Sequence, residues 1–236
     1  MKKIFNLAFA DFKLIFRDST LRTFLALPIL IFVLIVWGVP YLIQEFEILE
    51  PYVPIMLVVC VIENTQMFSF ISGMVLIDEK ENNVAKLYGI VPLSRFQYIL
   101  SRFLFPYIFT VILNVILFIV QPFYTISLFD NLLISFLAGL VVPLYAMALN
   151  TIAENRMKGL VYIKAFNLLV LLPVAAFFVP GKFIHAFGVF PTHWVFQGIY
   201  KVTQGLSAGL MSGIGFIVFG VLLWLISKLF IQRHFV

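Results

Sequence analysis

Six long apolar runs, separated by short polar breaks, constrain this chain more than any other feature. They fall at about 21–43, 53–77, 99–123, 132–153, 160–179 and 206–226. At about 1.5 Å per helical residue, some 20 residues cross the ~30 Å hydrocarbon core of a bilayer. Inside that core each backbone N–H and C=O must be bonded within its own segment, so such runs cross as helices. Composition agrees, with 63% of residues hydrophobic and 11% charged, against about 25% charged in a soluble domain. The expected fold is an all-α integral membrane protein with six transmembrane helices, a single domain over residues 1–236.

Local chemistry marks out the runs. Asp18-Ser19-Thr20 can cap the first, and Pro28 within it predicts a kink. The loop that follows carries Glu45, Glu47 and Glu50 and no base. Asp130-Asn131 reads as a turn, residues 154–159 as a tight polar loop, and Pro180-Gly181 as the end of the fifth run. Residues 182–205 are aromatic but broken by Gly188 and Pro191. This pattern predicts short helices lying in, or dipping into, the outer interface, where aromatic rings are favoured. In the last run Gly209, Ser212, Gly213, Gly215 and Gly220 allow close helix contact.

The bases set the orientation. Fourteen of the 16 Lys and Arg residues fall on or near one side, and Lys182 and Lys201 on the other. That asymmetry places both termini in the cytoplasm of a multi-pass cell-membrane protein. The same clustering accounts for the net charge of +5 without any nucleic-acid partner. Cys60 is the single cysteine, so no internal disulfide is available. The amino terminus does not read as a signal peptide, because Asp11, Lys13 and Arg17 interrupt it. Instead Phe5, Phe9, Phe12 and Phe16 share one helical stripe opposite Lys2, Asn6, Lys13 and Arg17, the pattern of an interfacial helix over residues 1–18.

The polar break between the second and third runs holds Asp78, Glu79, Glu81, Lys80, Lys86, Arg95 and Arg102. Val84, Leu87, Tyr88 and Val91 recur at helical spacing within it. Pro92 should stop that short helix, and Ser94 can cap the one that re-enters the membrane. A helix held at the membrane surface between two spans is well placed to receive a push from a soluble partner.

This stretch resembles the intracellular coupling region of type-2 ABC exporter permeases. There the pattern is Glu-Lys/Arg-Glu, a short helix with a small residue, then Pro-Ile/Leu/Val-Ser/Thr-Arg. The chain offers Glu79-Lys80-Glu81, then Leu87-Tyr88-Gly89-Ile90-Val91, then Pro92-Leu93-Ser94-Arg95. It departs at Asn82-Asn83, where the family often has Gly-Thr. Pro191-Thr192-His193-Trp194 resembles, more weakly, the proline-and-aromatic step before the family's last span. The resemblance implies an elbow helix at residues 1–18 and a coupling region at 78–95. Glu79, Glu81, Leu87, Tyr88, Gly89, Pro92 and Arg95 would meet a cytoplasmic ABC ATPase subunit. It also implies a second permease subunit, identical or different, and export of a hydrophobic or amphipathic substrate such as a drug or antibiotic.

The chain itself lacks Gly-x-x-x-x-Gly-Lys-Ser/Thr, so if ATP drives it the nucleotide-binding loop belongs to another polypeptide. Under the resemblance, ATP and Mg bind the partner ATPase and this chain holds no cofactor. His185, His193 and His234 do not converge with carboxylates in sequence, and His185 and His193 read as interfacial polar tips. One carboxylate is out of place. Glu63 lies ten residues into the second run, roughly 15 Å deep and half-way across the core. A charge there costs about 2.5–3.5 kcal/mol by insertion, so it must face protein or a wet cavity. Cys60, Glu63, Gln66 and Gly73 share its stripe. Two roles fit: a hydrogen-bonding tie to Asn114, Asn150 or Asn167, or a place on the transport pathway with Cys60 and Gln66. A rival of another class is a membrane-embedded enzyme, a lipid transferase or intramembrane hydrolase centred on Glu63. A structural or signalling membrane protein is the third reading.

Overall fold

In the computed structural model, residues 19–24, 26–84 and 94–234 are described. The interfacial helix expected at 1–18 lies outside them. Six helices among the described residues are long and apolar enough to cross a membrane: Arg22–Glu45, Glu47–Glu81, Phe96–Val120, Leu128–Ile152, Arg156–Phe178 and Gly209–His234. All described secondary structure is helical.

The first span is a composite. After α1 (Ser19–Phe24), α2 (Leu27–Val33) passes through a π-helical turn at Leu34–Gly38 into α3 (Val39–Glu45). Pro28 occupies the start of α2, where a missing N–H costs nothing, so it begins a helix and does not kink one. The irregularity sits instead ahead of Pro40, whose absent N–H frees a carbonyl one turn back and lets the ladder widen.

The second span is the hub. A short 3-10 stretch, Glu47–Tyr52, leads into α4 (Val53–Glu81), 29 residues without a break. Val58, Val61, Ile62, Asn64, Thr65, Ser69, Ile71 and Ile77 are fully buried on it. A helix buried all round must sit inside the bundle, and α4 packs against the first, third, fourth and fifth spans. Its polar residues explain the choice, since Asn64, Thr65, Gln66, Ser69 and Ser72 would be costly against lipid. Asn82 and Asn83 close the helix. Asn82 N donates to Asp78 O at 3.0 Å, and Asn83 takes φ 58°, the left-handed conformation that Gly or Asn accepts at a helix end. The departure from Gly-Thr therefore keeps a residue suited to this stop.

The third span is α5 (Arg95–Val120). Ser94 caps it as expected, in a reciprocal box: Gln97 N donates to Ser94 Oγ at 3.2 Å and Ser94 N to Gln97 Oε1 at 3.0 Å. Asp130-Asn131 is not the turn before the fourth span. The turn occupies 121–127, where Phe123 N and Tyr124 N both donate to Gln121 Oε1 at 3.0 Å. Ser127 is the true cap, accepting from Asp130 N at 3.1 Å, so Asp130 falls in the first helical turn. From there Asp130 Oδ1 accepts from Ser207 Oγ and Ala208 N, both at 2.9 Å, stitching the start of the fourth span to the start of the sixth.

The fourth span breaks at Leu140 into α6 (Leu128–Gly139) and α7 (Val141–Ile152). Pro143 has no N–H to offer the carbonyl of Gly139, and the chain tightens there to a Leu140 N–Leu137 O bond of 3.1 Å. The fifth span comprises α8 (Arg156–Leu171), capped by Asn155, and a 3-10 extension Leu172–Phe178. Gly181, at φ 60°, turns the chain into a second 3-10 segment, Gly181–Val189, and then α9 (Pro191–Thr203).

This pair packs into the bundle. Thr192, His193, Val195, Phe196, Ile199 and Val202 are buried, and α9 packs against α4, α6 and α10 (Gly209–His234), the sixth span. His193, expected as an interfacial polar tip, is 2% exposed with its ring edge-on to Trp194. Pro191 starts α9 in place, and Thr192 Oγ1 donates to Val170 O at 2.8 Å, anchoring it to the fifth span. Close approach is made possible at Gly215: a Cβ there would stand 2.7 Å from Leu137 Cδ2 and 2.9 Å from Trp194 Cβ. By contrast, Gly213 and Gly220 face open space within this chain.

Candidate functional site

Two polar sites lie on α4, one at its carboxy-terminal end and one near its middle. At the end, Glu79 is 8% exposed and Arg102 6%. Glu79 Oε1 is 2.8 Å from Arg102 Nη2. The Tyr98 hydroxyl donates to Glu79 Oε2 at 3.2 Å, and its oxygen stands 2.7 Å from His234 Nε2. His234 Nδ1 is in turn 2.9 Å from Asn150 Oδ1. With the one Tyr98 proton given to Glu79, a neutral imidazole protonated on Nε2 donates to the Tyr98 oxygen, and its Nδ1 accepts from the Asn150 side-chain amide once that amide is turned over. Tyr98 also stacks on Phe230, and the Arg102 guanidinium stands 5.1 Å from its ring.

Around this knot, bases close the carbonyl end of α7. Lys80 Nζ donates to Asn150 O at 3.3 Å and Ala153 O at 3.2 Å, and Arg233 Nη1 to Thr151 O at 3.1 Å. The last carbonyls of a helix have no internal partners and carry the negative end of its dipole, so cations stabilise them. Arg156 joins the fifth span: Nη1 is 3.3 Å from Asp78 Oδ2, and its N–H donates to Glu81 Oε2 at 3.0 Å. The second to sixth spans are thus bound together at one end.

Of the residues assigned to coupling, Glu79 points into this knot and Glu81 is exposed beside Arg156. Leu87, Tyr88, Gly89 and Pro92 lie outside the described residues, and only the backbone of Arg95, first in α5, is described. Sequence reasoning missed Tyr98 and His234 as partners; they stand 136 positions apart. Arg102 had been counted as an orienting base and Asn150 as a partner for Glu63. The available signal was a polar residue just inside the end of each span.

Near the middle of α4, Cys60 and Gln66 are each 4% exposed, while Glu63 is half-buried. None of the three asparagines binds Glu63. Asn64 Nδ2 donates to Asn114 Oδ1 at 2.8 Å, and Asn114 Nδ2 to Thr65 Oγ1 at 3.0 Å, tying the second span to the third. Asn150 serves His234, and Asn167 Oδ1 accepts from Tyr145 at 2.8 Å. Among the described residues Glu63 has no hydrogen bond or ion pair, and both amide atoms of Gln66 are buried without a partner. Tyr145 forms one wall of a cavity of about 190 Å³ between the fourth span, the fifth span and α9. The helix tie thus belongs to Asn64 and Asn114, and Glu63 is left with its carboxylate uncommitted.

A protein-family model described as Fluoroquinolones export permease protein Rv2686c-like matches residues 11–227, from before the first span into the last. The chain belongs to this family. Comparison with curated proteins gave no match. Membership agrees with the resemblance carried by Glu79–Arg95 and with the six spans, and marks the chain as a multi-pass membrane permease of an export family. Among the described residues no three His, Cys, Asp or Glu side chains converge to hold a metal ion.

Proposed function

We propose that this chain is the membrane-spanning subunit of an ATP-driven ABC exporter for amphipathic drug-like molecules, fluoroquinolones among them. A separate ATPase subunit binds ATP and Mg and docks on the cytoplasmic stretch 78–95. A second permease subunit completes the transmembrane pathway, and both termini face the cytoplasm. The observation that carries this reading is the family match over residues 11–227.

The geometry supports it by giving a push somewhere to go. An unbroken helix, α4, runs from the level of Glu63 to the start of the coupling stretch. At its foot Glu79 is tied to Arg102, and through Tyr98 and His234 to the sixth span. Displacement of residues 82–95 by a closing ATPase would move the ends of the second, third and sixth spans together. Farther in, Glu63 would meet the basic amine of a substrate, in surroundings where low dielectric strengthens the attraction.

The test uses Leu87→Asp and Gly89→Trp in the complex co-expressed with its ATPase. Insertion should be unchanged, while the ATPase subunit is lost on purification or its substrate-stimulated hydrolysis disappears. Undiminished export by both variants would reduce the stretch to a solvated loop.

A further inference from the structure

Between the third and sixth spans lies a groove of about 540 Å³, lined by apolar side chains and Ser227. Its rims, Phe96 and Leu100 on α5 and Trp224 on α10, are exposed, whereas its floor, Pro143 and Met147 of the fourth span, is buried. The break at Leu140 helps to form it, because Leu140 and Pro143 both line its inner part. Along α5 the lining runs from Phe96 to Tyr107, a rise of roughly 16 Å at about 1.5 Å per residue. Half of a ~30 Å hydrocarbon core is about 15 Å, so the groove is one leaflet deep.

A cation stands at the end of the groove nearest the carboxy terminus of the sixth span. Lys228, one residue beyond Ser227, holds Nζ 3.4 Å from the centroid of the Trp224 ring. Among the described residues it has no carboxylate partner. A lysine lying over an interfacial tryptophan keeps its stem on apolar surface and its ammonium at headgroup level.

We propose that this groove binds one acyl chain of an anionic phospholipid, with the headgroup phosphate received by Lys228. Depth, apolar lining and terminal charge match the three parts of such a lipid: a chain one leaflet long, no polar group along it, and an anion at the end. The site differs from the Glu63 stripe and rests only on the placement of the chain in a bilayer.

Native mass spectrometry of the purified full chain, re-supplied with phosphatidylglycerol or phosphatidylcholine of the same acyl chains, tests the assignment. The wild type should retain phosphatidylglycerol about fivefold over phosphatidylcholine, the scale of one lysine near an anionic surface. Lys228→Gln, on the exposed surface, should abolish that preference while some lipid still binds. Leu100→Trp, narrowing the groove from its rim, should lower retention of both lipids. Equal retention of the two lipids by wild type, or a preference untouched by Lys228→Gln, would overturn the proposal. So would Leu100→Trp changing the population of two-copy species while bound lipid stays constant, since the groove would then be a contact between copies.

Discussion

Glu79 and Arg102 lie 2.8 Å apart with both side chains buried, binding the last turn of the second span to the second turn of the third. Removing one partner from such a pair leaves an uncompensated buried charge, at a cost of about 3–5 kcal/mol. Replacing both by uncharged residues of similar shape costs far less. Arg102→Ala should therefore lower the thermal midpoint in detergent sharply, and Glu79→Gln with Arg102→Met should restore most of it. Equal losses in the single and double variants would mean that the ion pair does not govern this end of the bundle.

Helix contact at Gly215 and open space at Gly220 give opposite expectations for one substitution. Gly215→Ala places a methyl 2.7 Å from Leu137 and 2.9 Å from Trp194, and such overpacking costs about 1–3 kcal/mol. Gly220→Ala meets nothing within 4 Å and should gain up to about 1 kcal/mol from helix propensity. Thermal melting of the two variants side by side checks this, with the midpoint falling for Gly215 and holding or rising for Gly220.

The two polar roles on α4 also separate by mutation. Asn114 bridges Asn64 and Thr65, so Asn114→Leu should cost about 1–3 kcal/mol by stranding buried amides. Glu63 ties nothing down, so Glu63→Gln should melt like wild type. In export assays it should weaken transport of cationic substrates and spare neutral ones. Matched substrates decide the point: equal wild-type rates for both would remove Glu63 from the pathway.

The fold could be read from the sequence to the extent that each signal was local. Apolar length marked the spans, and Ser94 after Pro92 announced the cap of the third. Pro180-Gly181 ended the fifth span where it does end. Signals failed where two local rules competed. Both Ser127 and Asp130 are good capping residues, and the structure has Ser127 accept from Asp130 N while Asp130 falls in the first turn. The candidate site was hidden for another reason. Tyr98, Asn150 and His234 each resemble an ordinary anchor at a span end, and nothing local shows that three distant ends meet. The burial of His193 was not legible because an aromatic, proline-broken segment does not show which helices it packs against. Gly198 and Gly215, by admitting α9 among the spans, put it in the interior.

The unequal division of bases predicts both termini in the cytoplasm, and the contact of Asp130 with Ser207 and Ala208 puts the starts of the fourth and sixth spans at one end, as six spans require. Reporter fusions after Glu50, Asp130 and Lys201 should report the outside, and fusions after Asn83 and Lys158 the cytoplasm. A cytoplasmic signal at Asp130 would contradict six spans.

The central claim is that ATP hydrolysis by a separate subunit drives export through this chain. Inside-out vesicles containing the chain and its ATPase, loaded with a fluoroquinolone outside, measure it directly. Uptake should require hydrolysable ATP, persist when the proton gradient is collapsed, and vanish with Leu87→Asp. Uptake that proceeds without ATP and stops when the gradient is collapsed would contradict the account.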